Sequence, residues 1–136
     1  MLSIKGAGRM SKLSLSDGEW KLMNLLWDAA PESLTIGQMV TALAEDTGWT
    51  KATINIMLTR LTDKGAVSVD ESGRAKRFTP LLDRERAVRQ EAKNALSRVK
   101  TDGIGLLMSA MAREVELSDE EIDELYRLLK EGRERQ

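Results

Sequence analysis

The chain has 136 residues, of which 41% are hydrophobic and 32% are charged, and its formal net charge is −1. This composition is typical of a globular protein with one ordinary domain, or with a small domain and an appendage. The chain contains no cysteine and no histidine, which excludes disulfides, thiolate metal sites, cysteine catalysis and the commonest general base. We therefore expect neither an enzyme nor a cofactor.

No apolar run in the sequence approaches the roughly 20 residues that a membrane-spanning helix needs. The N-terminus also lacks the apolar core of a signal peptide. We therefore expect a cytoplasmic protein that does not insert into a membrane.

The chain begins with a short basic segment, residues 1–14, which we expect to be a disordered tail. Structure is predicted to begin at Leu15, because Ser16 and Glu19 have the spacing of a helix capping box. Apolar residues then recur at helical spacing as far as the alanine pair before the first proline. Trp20 and Trp27 belong to this pattern and are interpreted as core residues.

Two more helices are predicted to follow the first. Thr35 and Gln38 form a second capping box, and the helix that they open is predicted to close at Asp46-Thr47-Gly48. The next helix starts near Thr50. Two short helices separated by a tight turn containing glycine are typical of a helix-turn-helix motif.

The helix after Thr50 has two distinct faces when its residues are placed about 100° apart. One face is apolar and carries Ile54, Met57, Leu58 and Leu61. The opposite face carries Ala52, Asn55, Ile56, Thr59, Arg60 and Asp63. If the apolar face packs on the first two helices, the second face points towards whatever the protein binds.

A short basic hairpin is predicted directly after this helix, which ends at Lys64-Gly65. Residues 66–69 and 75–79 are predicted to be strands, with Gly73 supplying the turn and Pro80 ending the second strand. A helix followed at once by such a hairpin is typical of a winged helix-turn-helix domain.

The basic residues are concentrated in the middle of the chain. From Lys51 to Lys100 there are 12 Lys and Arg against 6 Asp and Glu, a net charge of +6. The flanking segments, 1–50 and 101–136, are both net acidic. A basic middle within a near-neutral chain predicts that a phosphate-binding surface lies there.

The composition changes at Asp83, and residues 83–136 are predicted to be helical. A charged helix over 83–100 is followed by a nearly all-apolar stretch, 104–111, and by a last helix that a third capping box, Ser118 with Glu121, opens. Small apolar helices at the end of a small domain have little of their own chain to pack against, so we interpret them as a dimerisation region. The residues expected to form it are Leu96, Val99, Ile104, Leu106, Leu107, Met108, Met111, Ile122, Leu125, Leu128 and Leu129.

With these elements in place, the chain resembles the penicillinase-repressor family, the BlaI/MecI/CopY group of bacterial winged-helix repressors. The matching blocks are LSDGEWKLMNLLW from Leu15, GWTKATINIMLTRLTDKG from Gly48, GRAKRFTPL from Gly73 and LSDEEIDELYRLL from Leu117. The resemblance implies a mainly α fold with a small β-wing, a winged-helix domain at 15–82 and a helical dimerisation region at 83–136. It also implies a homodimer that binds a two-fold symmetric DNA operator and, in many members, a regulatory protease or membrane-bound sensor as a further partner.

The chain departs from the family pattern at three places. It has no cysteine, so the C-terminal cysteine cluster of the copper-responsive branch is missing. The Asn-Phe bond that is clipped in the antibiotic-responsive branch is replaced near Ala110-Met111. Asn55 stands where family recognition helices often carry a basic residue, which predicts a different operator sequence.

The candidate DNA contacts divide into phosphate-binding and base-reading residues. The phosphate candidates are the cations of the basic middle, together with the residues at the starts of the second and third helices: Thr35, Thr50, Lys51, Arg60, Arg74, Lys76 and Arg77. The base-reading candidates are Ala52, Thr53, Asn55 and Ile56, because asparagine can bind adenine through two hydrogen bonds and apolar groups can contact a thymine methyl.

Simpler interpretations exist for each of these residues. Basic side chains on a wing are often only a solvated face, and Thr53 can merely cap or pack. The acidic residues 119–124 start a helix and oppose its dipole, so they need no metal.

The leading hypothesis is a homodimeric transcriptional repressor. The alternative is a winged-helix adaptor that binds protein, because the recognition face is poor in basic residues and carries Asp63.

Overall fold

The computed structural model of the chain describes residues 14–99 and 103–134. The helices in these residues are α1 (Asp17–Ala29), α2 (Ile36–Ala42), α3 (Lys51–Asp63), α4 (Arg84–Arg98), α5 (Ile104–Glu114) and α6 (Asp119–Glu134). The strands are β1 (Leu34–Thr35), β2 (Val67–Asp70) and β3 (Arg77–Pro80). A mainly α fold with a small sheet is thereby confirmed. Apart from Ser14, the predicted tail lies outside the described residues, as does Lys100.

The chain divides into two compact units, Met1–Asn94 and Ala95–Gln136. The boundary falls within α4, so the first turns of that helix belong to the first unit. In the first unit, α1, α2 and α3 pack around a core whose fully buried side chains are Leu22, Met23, Leu26, Met39, Ile54, Leu58, Leu61 and Val67. Trp20 and Trp27 pack against this core with their ring centroids 5.9 Å apart, which agrees with their interpretation as core residues.

The predicted capping boxes of the first two helices are confirmed. The Ser16 amide donates to Glu19 Oε1 at 2.8 Å and the Glu19 amide donates to Ser16 Oγ at 3.2 Å. The same exchange joins Thr35 and Gln38 at 2.8 and 3.2 Å. The second helix ends earlier than its predicted closing residues, because a turn follows Ala42 and leads to Gly48, whose φ of +64° is the left-handed conformation that glycine favours.

The wing is a three-stranded antiparallel sheet with the order β1-β3-β2, in which β2 and β3 form the predicted hairpin. β1 was not predicted, because two residues are too short to show a strand pattern; they pair with Phe78 and Arg77. Gly73 lies in the loop between these two strands, as predicted, but among the described glycines only Gly48 and Gly65 have positive φ. The wing loop is also held by Asp70, whose Oδ1 accepts from the Ser72 amide and hydroxyl at 2.9 and 2.6 Å.

The second unit contains the end of α4 together with α5 and α6, and it has no core of its own in the part that the structure describes. No described side chain of residues 95–132 is buried. Its third capping box is confirmed, with hydrogen bonds of 3.1 Å in both directions between Ser118 and Glu121. None of the described helices combines the length and the apolar character needed to cross a membrane.

Candidate nucleic-acid interface

The α3 helix separates a buried face from an exposed one as its sequence predicts. Ile54, Met57, Leu58 and Leu61 are buried in the core. The six residues predicted for the opposite face are all exposed. The α1 helix approaches this buried face closely: a Cβ at Gly18 would lie 2.9 Å from Met57 Sδ, so the Met57 side chain would have to move to make room for it. The core thus fixes α3 and leaves its polar face free for a ligand.

An open groove of about 560 Å³ lies where the starts of α2 and α3 meet the wing. It is lined by Thr35, Ile36, Gly37, Lys51, Ala52, Asn55, Ala75 and Lys76. Five residues from the predicted DNA contacts, spread over 42 positions of sequence from Thr35 to Lys76, are therefore brought together. The walls of the groove carry two lysines and an amide, which are groups that bind phosphates and base edges.

A second, smaller depression of about 180 Å³ lies between α3 and the wing hairpin. Asn55 and Lys76 line this depression as well as the larger groove, which places them at the centre of the surface. The Asn55 side chain is exposed, and no other described side chain or backbone group is hydrogen-bonded to it. Its amide is therefore available both to donate and to accept, which reading an adenine edge requires.

The two lysines of the groove differ in their surroundings. Lys76 Nζ lies 3.5 Å from Glu71 Oε1, and the two side chains are 57% and 64% exposed. A pair so exposed is worth at most about 1 kcal/mol, so the ammonium group can exchange this carboxylate for a phosphate. Lys51 is exposed and has no ion pair within the described part of the chain; it stands in the first turn of α3, where helix amides already favour an anion.

The hydroxyls of the three threonines predicted to contact DNA take part in hydrogen bonds at helix starts. Thr50 Oγ1 accepts from the Thr53 amide at 3.3 Å and lies 3.2 Å from the Thr53 hydroxyl. Thr35 Oγ1 accepts from the Gln38 amide. These bonds give all three hydroxyls a structural role, so no DNA contact is needed to explain them. What the helix starts offer to a phosphate is instead their remaining backbone amides, which carry the positive end of the helix dipole.

Arg77 has a structural role in the wing. Its Nε donates to Ser33 Oγ at 2.8 Å and its Nη2 donates to the Ser33 carbonyl at 3.4 Å. These bonds fasten β3 to the chain entering β1. Hydrogen bonds from Ser72, assisted by the charge of Arg77, lower the pKa of the Asp70 carboxyl from its usual value. The structure thus occupies Arg77 within the wing, although its exposed guanidinium keeps further donors.

The other predicted contacts lie outside the larger groove. Arg74 is exposed in the wing loop, and Ile56 is 54% exposed on α3. Arg60 is exposed in the last turn of α3, where it also complements the helix dipole.

Three groove residues were not predicted: Ile36, Gly37 and Ala75. The first two directly follow the predicted cap Thr35, which is the signal that would have found them. A Cβ at Gly37 would have no neighbour closer than Thr35 Oγ1 at 3.9 Å. Packing therefore does not require glycine at this position, and its missing side chain leaves the groove open.

An ion pair between a buried carboxylate and a partly exposed lysine holds the end of α3 against the start of α1. Glu19, whose side chain is 3% exposed, accepts from Lys64 Nζ at 2.7 Å, and Lys64 also donates to the Ser14 carbonyl at 2.9 Å. Burial raises the pKa of the Glu19 carboxyl, but the Lys64 ammonium and the hydrogen bonds from Ser16 outweigh it and leave the pKa below its usual value. The sequence identified Glu19 only as a capping residue and did not predict this pair.

The chain is similar to known proteins over most of its length. The penicillinase repressor of Bacillus licheniformis is 29% identical over 121 residues, which cover 89% of this chain and 93% of that protein. The methicillin resistance regulatory protein MecI of Staphylococcus aureus (strain N315) is 24% identical over 115 residues, covering 85% and 92%. The solution structure of the DNA-binding domain of the repressor BlaI is 30% identical with a TM-score of 0.47, and the match covers 54% of this chain and 87% of that one.

The family model of the penicillinase repressors matches residues 15–131. The match begins at the buried Leu15 before α1 and ends within α6, so it spans both compact units. Because it covers most of the sequence, this chain belongs to the penicillinase repressor family.

Proposed function

We propose that this protein is a DNA-binding transcriptional repressor that binds a two-fold symmetric operator as a homodimer. The single observation that carries the proposal is the groove in which Lys51, Asn55 and Lys76 converge from α3 and the wing. Membership of the penicillinase repressor family supplies the repressor role. The members of this family are regulators and not enzymes.

In this proposal α3 enters the DNA major groove, which is about 12 Å wide and admits a helix. Asn55 reads an adenine edge, while Ala52 and the exposed Ile56 contact thymine methyl groups. Lys51 and the amides at the start of α3 bind one stretch of phosphates, and Lys76 with Arg74 binds another from the wing. Base reading thus falls to uncharged groups, and affinity comes from the cations around them.

The homodimer is supported by the unfilled apolar surface of the second unit. Eight of the predicted dimerisation residues are exposed: Leu96, Leu106, Met108, Met111, Ile122, Leu125, Leu128 and Leu129. The other three, Val99, Ile104 and Leu107, are only half-buried. Apolar patches of this extent mark interaction surfaces, and a second copy of the chain is the partner that a two-fold operator requires.

Selection of bound fragments from a random-sequence duplex library, at near-physiological salt, tests the proposal directly. We expect the full-length protein to retain duplexes that share a two-fold motif with an adenine in each half-site. Asn55→Ala is expected to retain a motif in which that adenine is no longer preferred. Failure of the wild-type protein to retain any duplex would overturn the proposal and favour the protein-binding adaptor.

The salt dependence of binding tests the wing contact. Lys76→Ala removes one cation from each half of the dimer, so the slope of log affinity against log salt should fall by about 1.8, because each phosphate contact contributes about 0.9. Lys21→Ala is the matched control, since Lys21 is also an exposed lysine paired with an exposed carboxylate, Asp46, at 2.7 Å. An equal change in both variants would show that net charge, and not the wing contact, sets the slope.

A further inference from the structure

The α3 helix passes into the wing through a junction of three residues, Lys64, Gly65 and Ala66. Gly65 has a φ of +81°, and its amide donates to the Thr62 carbonyl at 3.0 Å. The Ala66 amide donates to the Leu61 carbonyl at 2.9 Å. The left-handed glycine and these two hydrogen bonds form a Schellman motif, which fixes the backbone where a helix ends. The change of direction from α3 to the wing is therefore made by a defined turn.

The same junction closes the base of the wing. Ala66 is fully buried, and Val67, the first residue of β2, is 2% exposed. The Ala66 carbonyl accepts from the Leu81 and Leu82 amides at 2.8 and 3.1 Å, so it joins the start of β2 to the chain that leaves β3. A shift of the junction would therefore be passed on to both strands of the wing hairpin.

Lys64 ties this junction to α1. Its Nζ donates to Glu19 Oε1 at 2.7 Å and to the Ser14 carbonyl at 2.9 Å, while its backbone amide donates to the Arg60 carbonyl in the last turn of α3. The side chains of Glu19 and Lys64 are 3% and 34% exposed, and salt screens a pair that is largely buried less than a pair on the surface. Because Glu19 also caps α1, one carboxylate holds the start of α1 and, through Lys64, the end of α3.

The two sides of the predicted DNA surface are connected along the chain through this junction. Asn55 belongs to α3, whose apolar face is buried in the core. Lys76 belongs to the wing, which follows the junction. Both residues line the larger groove and the smaller depression. The distance between the base-reading amide and the wing cation therefore depends on how the junction is held.

We propose that Lys64, held by Glu19, is a positioning residue that places the wing cation Lys76 where it can bind a phosphate while Asn55 reads a base. The proposal rests on the DNA-binding function proposed above. Neither Lys64 nor Glu19 lines the groove or the depression, so the pair acts on DNA through the wing. Its loss is expected to weaken the Lys76 contact and to leave the base preference of Asn55 unchanged.

The test compares the effect of Lys76→Ala in two full-length proteins, the wild type and the double variant Glu19→Gln with Lys64→Met. The double variant removes one charge of each sign, so its net charge is that of the wild type, and glutamine can keep the capping box. Binding is measured to the duplex that the wild type selects from a random-sequence library, over a range of salt concentrations. The temperature is one at which circular dichroism shows every variant to be folded.

We expect the two proteins to respond differently to the loss of the wing cation. In the wild type, Lys76→Ala should lower the slope of log affinity against log salt by about 1.8, because each half of the dimer loses a phosphate contact worth about 0.9. In the double variant, the same substitution should lower the slope by less than about half of that amount. The double variant should still select the same adenine in each half-site, which a general loosening of the domain would not preserve.

Ser16→Ala is the matched control, because it removes a hydroxyl from the same capping box and leaves the hydrogen bonds of Lys64 in place. In this background Lys76→Ala should lower the slope by the full wild-type amount. Equal slope changes in the wild type and the double variant would overturn the proposal, since the two sites would then act independently. If the double variant does not fold, Glu19→Gln alone, which leaves Lys64 without its charged partner, decides by the same comparison.

Failure of the proposed function is visible before these variants are compared. A wild-type protein that retains no duplex refutes the DNA-binding function itself. A wild-type slope that Lys76→Ala leaves unchanged refutes the wing contact, and this inference with it. Only when the wild type binds DNA and Lys76→Ala lowers its slope does the double variant decide whether Lys64 positions the wing.

Discussion

Each of the two compact units contains a helix that begins with a Ser/Glu capping box, but the two boxes lie in different environments. In the first unit, the Glu19 carboxylate of the Ser16–Glu19 box is buried, and it also binds Lys64 at the end of α3. In the second, the Ser118–Glu121 box has nearly the same hydrogen-bond lengths but is fully exposed. The same local chemistry is part of a tertiary contact in one unit and remains only local in the other.

The difference extends to the apolar side chains. The first unit buries its leucines and methionines in a core that its own chain completes. In the second unit, no described side chain of residues 95–132 is buried, and Leu106 remains 76% exposed. The DNA-binding surface is therefore preorganised within one chain, whereas the described apolar side chains of the second unit remain accessible to a partner.

Charges placed on the apolar face of α6 should have the largest effect on the second unit. Leu125 and Leu128 lie on that face beside a shallow apolar groove and are 41% and 50% exposed. Leu125→Glu with Leu128→Glu should weaken the dimer by about a thousandfold or more, because each leucine buried at an interface contributes about 1.5–3 kcal/mol. Analytical ultracentrifugation measures the dissociation, and circular dichroism measures the loss of helix in the second unit.

The matched control for this pair is Lys130→Glu, which changes the net charge by the same −2 from a position on the other side of α6. It should leave the dimer intact. The melting temperature of the first unit should be unchanged in both proteins, because its core is complete without the second unit. A double variant that stays dimeric would refute the assignment of this face to the interface.

Loss of the carboxylate from each capping box should destabilise the two units by different amounts. Glu19→Ala removes a buried carboxylate that caps α1 and binds Lys64, and should destabilise the first unit by about 3 kcal/mol. Glu121→Ala removes only an exposed capping contact and should cost much less. Chemical denaturation of the two variants gives both values. Equal losses would mean that the Lys64 contact adds nothing to the cap.

The elements that sequence predicted well are those whose signals are local. The two faces of α3 follow from helical periodicity within 13 residues, and each of the three capping boxes lies within four consecutive residues. The exposed position of Asn55 and the buried position of Ile54 follow from the same periodicity. Local patterns were sufficient because core packing and helix periodicity point to the same register.

The features that sequence missed depend on residues far apart in the chain. Arg77 binds Ser33 across 44 positions, Lys64 binds Glu19 across 45, and Arg84 binds Asp28 across 56. The two-residue strand β1 exists only because β3 pairs with it. No local pattern encodes such contacts, which is why Arg77 was assigned to phosphate binding alone and why the contact of Arg84 with α1 was not predicted.

The smallest expected effect is on the stability of the first unit at acidic pH. The pKa of Glu19 is lowered in the folded protein, so the carboxylate stabilises the first unit above its unfolded pKa, about 4.3 for an ordinary glutamate. This contribution is lost as the pH falls from there through the lower, folded pKa.

Glu19→Gln cannot titrate at this position, so the stability gap between wild type and variant should be widest at neutral pH and should narrow below about pH 4. Urea denaturation of both proteins between pH 7 and pH 3 measures that gap. Glu121→Gln is the control: its pKa is also lowered, by hydrogen bonds from Ser118, but the group is exposed and has no lysine partner within the described residues, so its gap should be smaller. If the stability difference between wild type and Glu19→Gln stayed constant with pH, the contact with Lys64 would stabilise the fold through packing and hydrogen bonding and not through charge.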